Sequence, residues 1–140
     1  MIIDAQNYFS TAQAVTSTAI SENTLDLGSA RDLGAGQPVW IVLQVTTALT
    51  NTGTVAVTVV NHTSAPTSTV GTTIMTLGTI AAASAAGTKL QAILPPCATD
   101  RQHLAVQYTV SGTVSAGAVD CFLTATPDNA KLYADAITIS

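Results

Sequence analysis

The sequence predicts an all-β protein, one jelly-roll or antiparallel β-sandwich domain of about eight strands. Three observations predict it. β-branched residues alternate with polar ones at period two along most of the chain. No long segment carries apolar residues at helical spacing. Short clusters of Gly, Pro and Asn break the pattern into strand-length pieces.

Taken in order, Ala14 to Leu27 reads as an early strand region, with Val15, Ile20, Leu25 and Leu27 apolar among Thr and Ser. Gly28 and Gly34-Ala35-Gly36 end it. Pro38 to Thr47 is the strongest strand, and its nearly unbroken apolar run, Trp40 included, predicts burial on both faces. Asn51-Thr52-Gly53 is a turn signal and Thr54 to Val60 alternates cleanly, so the two strands are expected to form a hairpin. His62 to Thr69 reads as a loop around Pro66, Val70 to Leu77 as a strand, and Ala81 to Ala86 as a loop or short helical turn. Lys89 to Leu94 is a strand stopped by Pro95-Pro96, and Leu104 to Val110 is another. Ser111-Gly112 and Ala116-Gly117 bracket an expected turn region before a strand from Val119 to Thr126, closed by Pro127-Asp128.

No shift in composition divides the 140 residues, which are expected to form a single domain over 1–140. Two segments look less integrated: residues 1–13, with Tyr8 and Phe9, and residues 129–140, with Ala136-Ile137-Thr138-Ile139. Each reads either as an arm that adds a strand to a neighbour or as a terminus packed on its own domain.

Composition narrows the function classes. Aromatics make up 4% of the chain, so the core must be built of Val, Ile, Leu and Ala. Charged residues make up 9%, against about 25% in an ordinary soluble domain. Sheet edges are usually guarded by Lys, and this chain has only Lys89 and Lys131. Such a surface is expected to be covered by partners in an assembly. The net charge of −4 comes with no Lys/Arg stripe, so no direct nucleic-acid contact is expected. The start lacks a basic stretch followed by an apolar one, and no apolar run is long enough to span a bilayer, so neither a signal peptide nor a membrane is expected.

Catalytic chemistry finds no constellation. His62 and His103 have no ligand-spaced partner, Glu22 is the only Glu, and the seven Asp residues show no paired spacing. No nucleophile elbow, phosphate loop or dinucleotide fingerprint occurs. Cys97 and Cys121 lack CxxC spacing; Cys121 reads as a buried small residue, and a disulfide between the two stays open. The chain is therefore expected to be non-enzymatic, with no cofactor or metal. Among the few charges, Arg31 beside Asp32 and Arg101 beside Asp100 are the best ionic anchors, within the fold or to a partner. With Tyr8 and Phe9 of the N-terminal segment, these four form the candidate partner interface.

The tandem Asp26-Leu27-Gly28-Ser29-Ala30-Arg31-Asp32-Leu33-Gly34, with Ala12 to Ala19, Pro38 to Val45 and Val106 to Thr113, resembles the capsid cement family of Bordetella-phage-like short-tailed phages. The resemblance covers most of the chain and is weakest from Thr63 to Ala86. It implies a jelly roll, a homodimer on the outer face of the phage head, and contacts that bridge neighbouring major capsid subunits. It implies a virion protein made in the host cytoplasm, and brings no catalytic residues. The competing expectation is a carbohydrate- or receptor-binding β-sandwich from a phage tail structure.

Overall fold

The computed structural model describes residues 4–29, 36–66, 71–95 and 101–127. Among these, a single 3-10 turn at Ala5–Asn7, capped by the Asp4 side chain on the Gln6 amide, leads into nine strands. They are β1 (Tyr8–Ala14), β2 (Ala19–Ile20), β3 (Leu25–Asp26), β4 (Trp40–Asn51), β5 (Thr54–His62), β6 (Thr72–Ile80), β7 (Lys89–Ile93), β8 (His103–Ser111) and β9 (Val114–Thr124).

One sheet has the order β1-β9-β4-β7; the other runs β2-β8-β5-β6, with β3 also on β8. Every pairing is antiparallel. The pairs nest along the chain: β1 with β9, β2 and β3 with β8, β4 with β7, and β5 with β6. This is the signature of a long hairpin rolled up on itself, which makes the β-sandwich a jelly roll. Counting β2 and β3 as one interrupted strand gives the eight positions such a roll requires.

The core lies between the sheets. Ile41, Leu43 and Val45 of β4 and Val119, Cys121 and Leu123 of β9 face Val55, Val57 and Val59 of β5 and Leu104, Val106 and Tyr108 of β8. All twelve are nearly or fully buried. Each such aliphatic side chain contributes about 1.5–3 kcal/mol on leaving water, enough to hold the fold with few aromatics.

Three expectations change. The β4–β5 hairpin does not form: β4 and β5 lie in different sheets, and Thr52-Gly53 is a corner between them. The β8–β9 corner at Gly112-Thr113 makes the same crossing beside it, and Gly53 N–H donates to Thr113 O at 3.1 Å. Period-two alternation marks a strand but carries no information about which sheet it joins. Ala116-Gly117 is not a turn either, since β9 runs through it. Gly117 is there because a Cβ would sit 2.9 Å from Leu49 Cγ. Finally, residues 8–13 of the expected N-terminal arm belong to β1, which pairs with β9 of the same chain. Of the two readings of that segment, packing on its own domain describes them; residues 129–140 lie outside the described residues.

A buried polar cluster fixes β1 in place. Ser10 Oγ donates to Gln13 Oε1 at 2.6 Å and lies 2.7 Å from Tyr108 Oη. The serine proton is thus committed to Gln13, and the tyrosine donates to Ser10. Gln13 Nε2 donates to Ile20 O at 2.8 Å, and its oxygen accepts the Glu22 amide at 3.0 Å. Burial, with the neighbouring Cys121, pushes the Tyr108 hydroxyl well above its usual pKa, so it stays a donor. Tyr108→Phe should lower the unfolding free energy by about 1–2 kcal/mol in urea titrations. An unchanged midpoint would mean that the cluster adds nothing to stability.

Candidate partner-binding surface

Successive strand residues face opposite sides of a sheet, so the partners of core residues define the outer face. On the β1-β9-β4-β7 sheet, register aligns Tyr8, Phe122, Val42 and Gln91 in one outward row. The next row holds Thr124, Trp40 and Ile93. The row on the other side holds Asp120, Gln44 and Lys89. Apolar side chains therefore gather toward the end where β4 begins, and polar ones border them.

Within the patch, the Tyr8 and Phe122 rings pack at 5.2 Å between centroids. Val42 and Phe122 are buried, while Tyr8 and Trp40 are half-buried. Ile93 is 46% exposed, the one large hydrophobic side chain in that state among the described residues. An exposed aliphatic next to Trp and Tyr, rimmed by polar residues, has the composition of a protein-contact surface. The outer face of the second sheet is more polar: two of its rows read Thr76, Thr58, Gln107 and Thr79, Ala56, Thr109, and a third holds Thr73 with the fully buried Val60 and Ala105.

A cleft of about 260 Å³ adjoins the patch where the two sheets part, lined by Asn7, Leu25, Val39, Leu123, Thr124 and Ala125. Thr124 belongs to both the patch and the cleft, and Val39 precedes Trp40. The cleft is mostly apolar, without an ionisable side chain in its lining. Patch and cleft together can bury an apolar protrusion.

The residues singled out by sequence scatter. Tyr8 lies in the patch. Phe9, one residue on, points the other way and is 1% exposed in the core, which removes it from the partner interface. Arg31, Asp32 and Asp100 lie outside the described residues. Arg101 is half-buried just before β8, a strand of the other sheet from Tyr8, and beside His62. Trp40, expected inside a strand buried on both faces, instead opens β4 on its outward side. Ile93 was missed altogether. Its one sequence signal is phase: Ile93 and Leu94 are consecutive, so only one of them can enter the core, and Leu94 does.

Cys121 is a free, fully buried thiol whose pKa burial pushes up to about 12, so it stays protonated and unreactive. Among the described residues no group of three or more His, Cys, Asp or Glu side chains is placed to hold a metal ion, and no helix is long and apolar enough to cross a membrane.

Fold and surface together define an antiparallel jelly-roll domain with an apolar patch, partly exposed at Ile93, on the outer face of the β1-β9-β4-β7 sheet. The chain belongs to the Bbp16 family, whose profile matches residues 9–123 and whose name is that of a Bordetella phage protein. No curated protein matches the sequence.

Proposed function

We propose that the protein is a non-enzymatic capsid cement protein: it sits as a homodimer on the outer face of a tailed-phage head and bridges neighbouring major capsid subunits through the Tyr8, Trp40 and Ile93 face. The observation that carries this reading is that apolar outer face on a rigid, charge-poor jelly roll of a phage family. A head packed with DNA is strained at contacts between capsomers. A stiff domain that ties them adds modest energy per copy and much in sum over the shell, and a two-fold dimer presents the same patch twice.

The test is binding of the purified chain to heads that lack it. Wild-type protein should saturate at a fixed ratio to the major capsid protein. Ile93→Asp and Trp40→Ala should each weaken binding by about thirtyfold or more while the far-ultraviolet dichroism stays unchanged, as truncation of central interface residues does. Binding that survives both changes would move the contact off this face. Virion density without an external jelly roll, or a chain that stays monomeric in light scattering at high concentration, would count against the cement and dimer parts in turn. A glycan-array signal would instead favour the tail-associated receptor-binding reading.

A further inference from the structure

At the end of the second sheet, one outward row crosses three strands. Asp26 of β3 lies opposite His103 of β8, and His103 lies opposite His62 of β5. Directly opposed residues in an antiparallel pair hold their Cβ atoms about 5 Å apart, so the two imidazoles are neighbours. His62 is only 9% exposed. Its Nε2 and His103 Nδ1 are both buried with no hydrogen-bond partner among the described residues. The His62 ring is seated over Gly71, just ahead of β6: a Cβ there would overlap its Nε2 and Cε1 atoms.

The charges around this pair are unfavourable to a second proton. Arg101, just before β8, and His103 both act on His62 as like charges, and burial weighs more than either in holding its pKa below the usual 6.5. The acid in the row is on the far side of His103. Asp26 Oδ1 already accepts Gln102 Nε2 at 2.9 Å and the Gly28 amide at 2.8 Å. From β6, Gly71, Thr72 and Thr73 bring no charge. Asp100, next to Arg101 in sequence, lies outside the described residues.

We propose that His62, set against His103, forms a proton-sensitive latch, which holds the ends of β5 and β8 and the start of β6 together while its ring is neutral and releases them in mild acid. Protonating His62 in place would add a charge and an N–H donor with no acceptor among the described residues, beside a guanidinium and a second imidazole. The ring must leave its seat on Gly71 to take the proton.

The direction follows from linkage. The unfolded chain binds a proton at His62 near pH 6.5, and the folded chain does so only at lower pH. The stabilisation is therefore complete above about pH 6.5 and is lost as pH falls through the folded value. Asp26, whose carboxyl is held below its usual range, contributes losses only below about pH 4, so the two windows are separate.

The experiment is thermal unfolding of the full chain from pH 7.5 to 5, with His62→Gln as the comparison. The wild-type melting temperature should fall by several degrees across that range, and the variant should flatten the fall. Equal slopes overturn the latch. Should the variant fail to fold, wild-type NMR decides. The His62 ring should titrate below the ordinary histidine value, and amides at His62 and Gly71 should exchange faster in the same window. Titration at or above that value, with unchanged exchange, overturns it as well. So does a melting temperature lowered by EDTA at pH 7.5, because a bound metal would then be the partner of the two ring nitrogens. All of these measurements use the isolated chain, so their outcome is independent of capsid binding.

Discussion

Phe9→Ala should lower the unfolding free energy by about 3–5 kcal/mol, the usual cost of emptying a core phenylalanine site. Against a total of about 5–15 kcal/mol for a domain, that is a large fraction. Phe9 is 1% exposed and packs in the cluster with Val15, Tyr108 and Cys121. Its strand has irregular pairing, with register shifts between Tyr8 and Ser10 and again between Ser10 and Gln13, and Ala12 takes φ of +49°. The ladder alone is therefore a weak tether, and the Phe9 side chain and the Ser10–Gln13–Tyr108 cluster hold β1 down. Tyr8→Ala removes a half-buried ring from the other face, and its stability cost should be smaller by about 2 kcal/mol or more. Urea unfolding of the two variants at low protein concentration makes the comparison. A Phe9→Ala chain as stable as wild type would mean that β1 is not held in its own core, and the arm reading of residues 1–13 would return.

Gly53→Ala should cost about 2–4 kcal/mol, more than most single methyl additions, because nothing near it can yield. A Cβ at Gly53 would lie 2.8 Å from Ser111 O and 2.9 Å from Thr113 O. Both are backbone oxygens of the neighbouring corner, so relief requires the chain itself to move. Gly112 faces it from that corner with φ of +84°, and its own Cβ would approach Gly53 Cα at 3.0 Å. The two chain crossings between the sheets are thus stacked glycine against glycine. For a chain of this size the loss corresponds to a fall of about 10 °C in melting temperature. Gly36→Ala is the control, since a Cβ there meets nothing within 4 Å. A Gly53→Ala melting curve that matches the Gly36→Ala curve would show that the corners can separate freely.

Several strands are close to what alternation and punctuation predict. β7 spans Lys89–Ile93 and β8 spans His103–Ser111, within a residue or two of the segments expected from Lys89 to Leu94 and Leu104 to Val110. Pro95 follows β7 because proline cannot continue the ladder. The early region from Ala14 to Leu27 is broken into β2 and β3: the Ser21 amide still donates to Val106 O, but the Val106 N–H donates to the Ser21 hydroxyl, which itself donates to Asn23 O. β6 starts two residues after the expected Val70 and runs on to Ile80, past Gly78. Gly78 lies 3.3 Å, through a notional Cβ, from Leu90 of β7.

The candidate surface was less legible than the strands. Trp40, Ile41, Val42 and Leu43 read as one apolar run, and nothing local says that Ile41 and Leu43 enter the core while Trp40 and Val42 face outward. Tyr8 and Phe9 present the same ambiguity at β1. Charge and terminal position single out six residues as an interface, and of the three that are described, Tyr8, Phe9 and Arg101, Tyr8 alone lies on the apolar face.

By itself, then, the sequence determined the all-β class, the positions of most strands and an aliphatic core, because side-chain alternation and turn residues act over a few neighbours. Which sheet β4 and β5 join, which side of each strand meets the core, and that Tyr8, Trp40 and Ile93 share one outer face were decided by the tertiary structure. Those outcomes depend on pairing between residues far apart in the chain, such as Tyr8 with Phe122 and Trp40 with Ile93. No local preference encodes such a register; it is fixed when two sheets close on a common core.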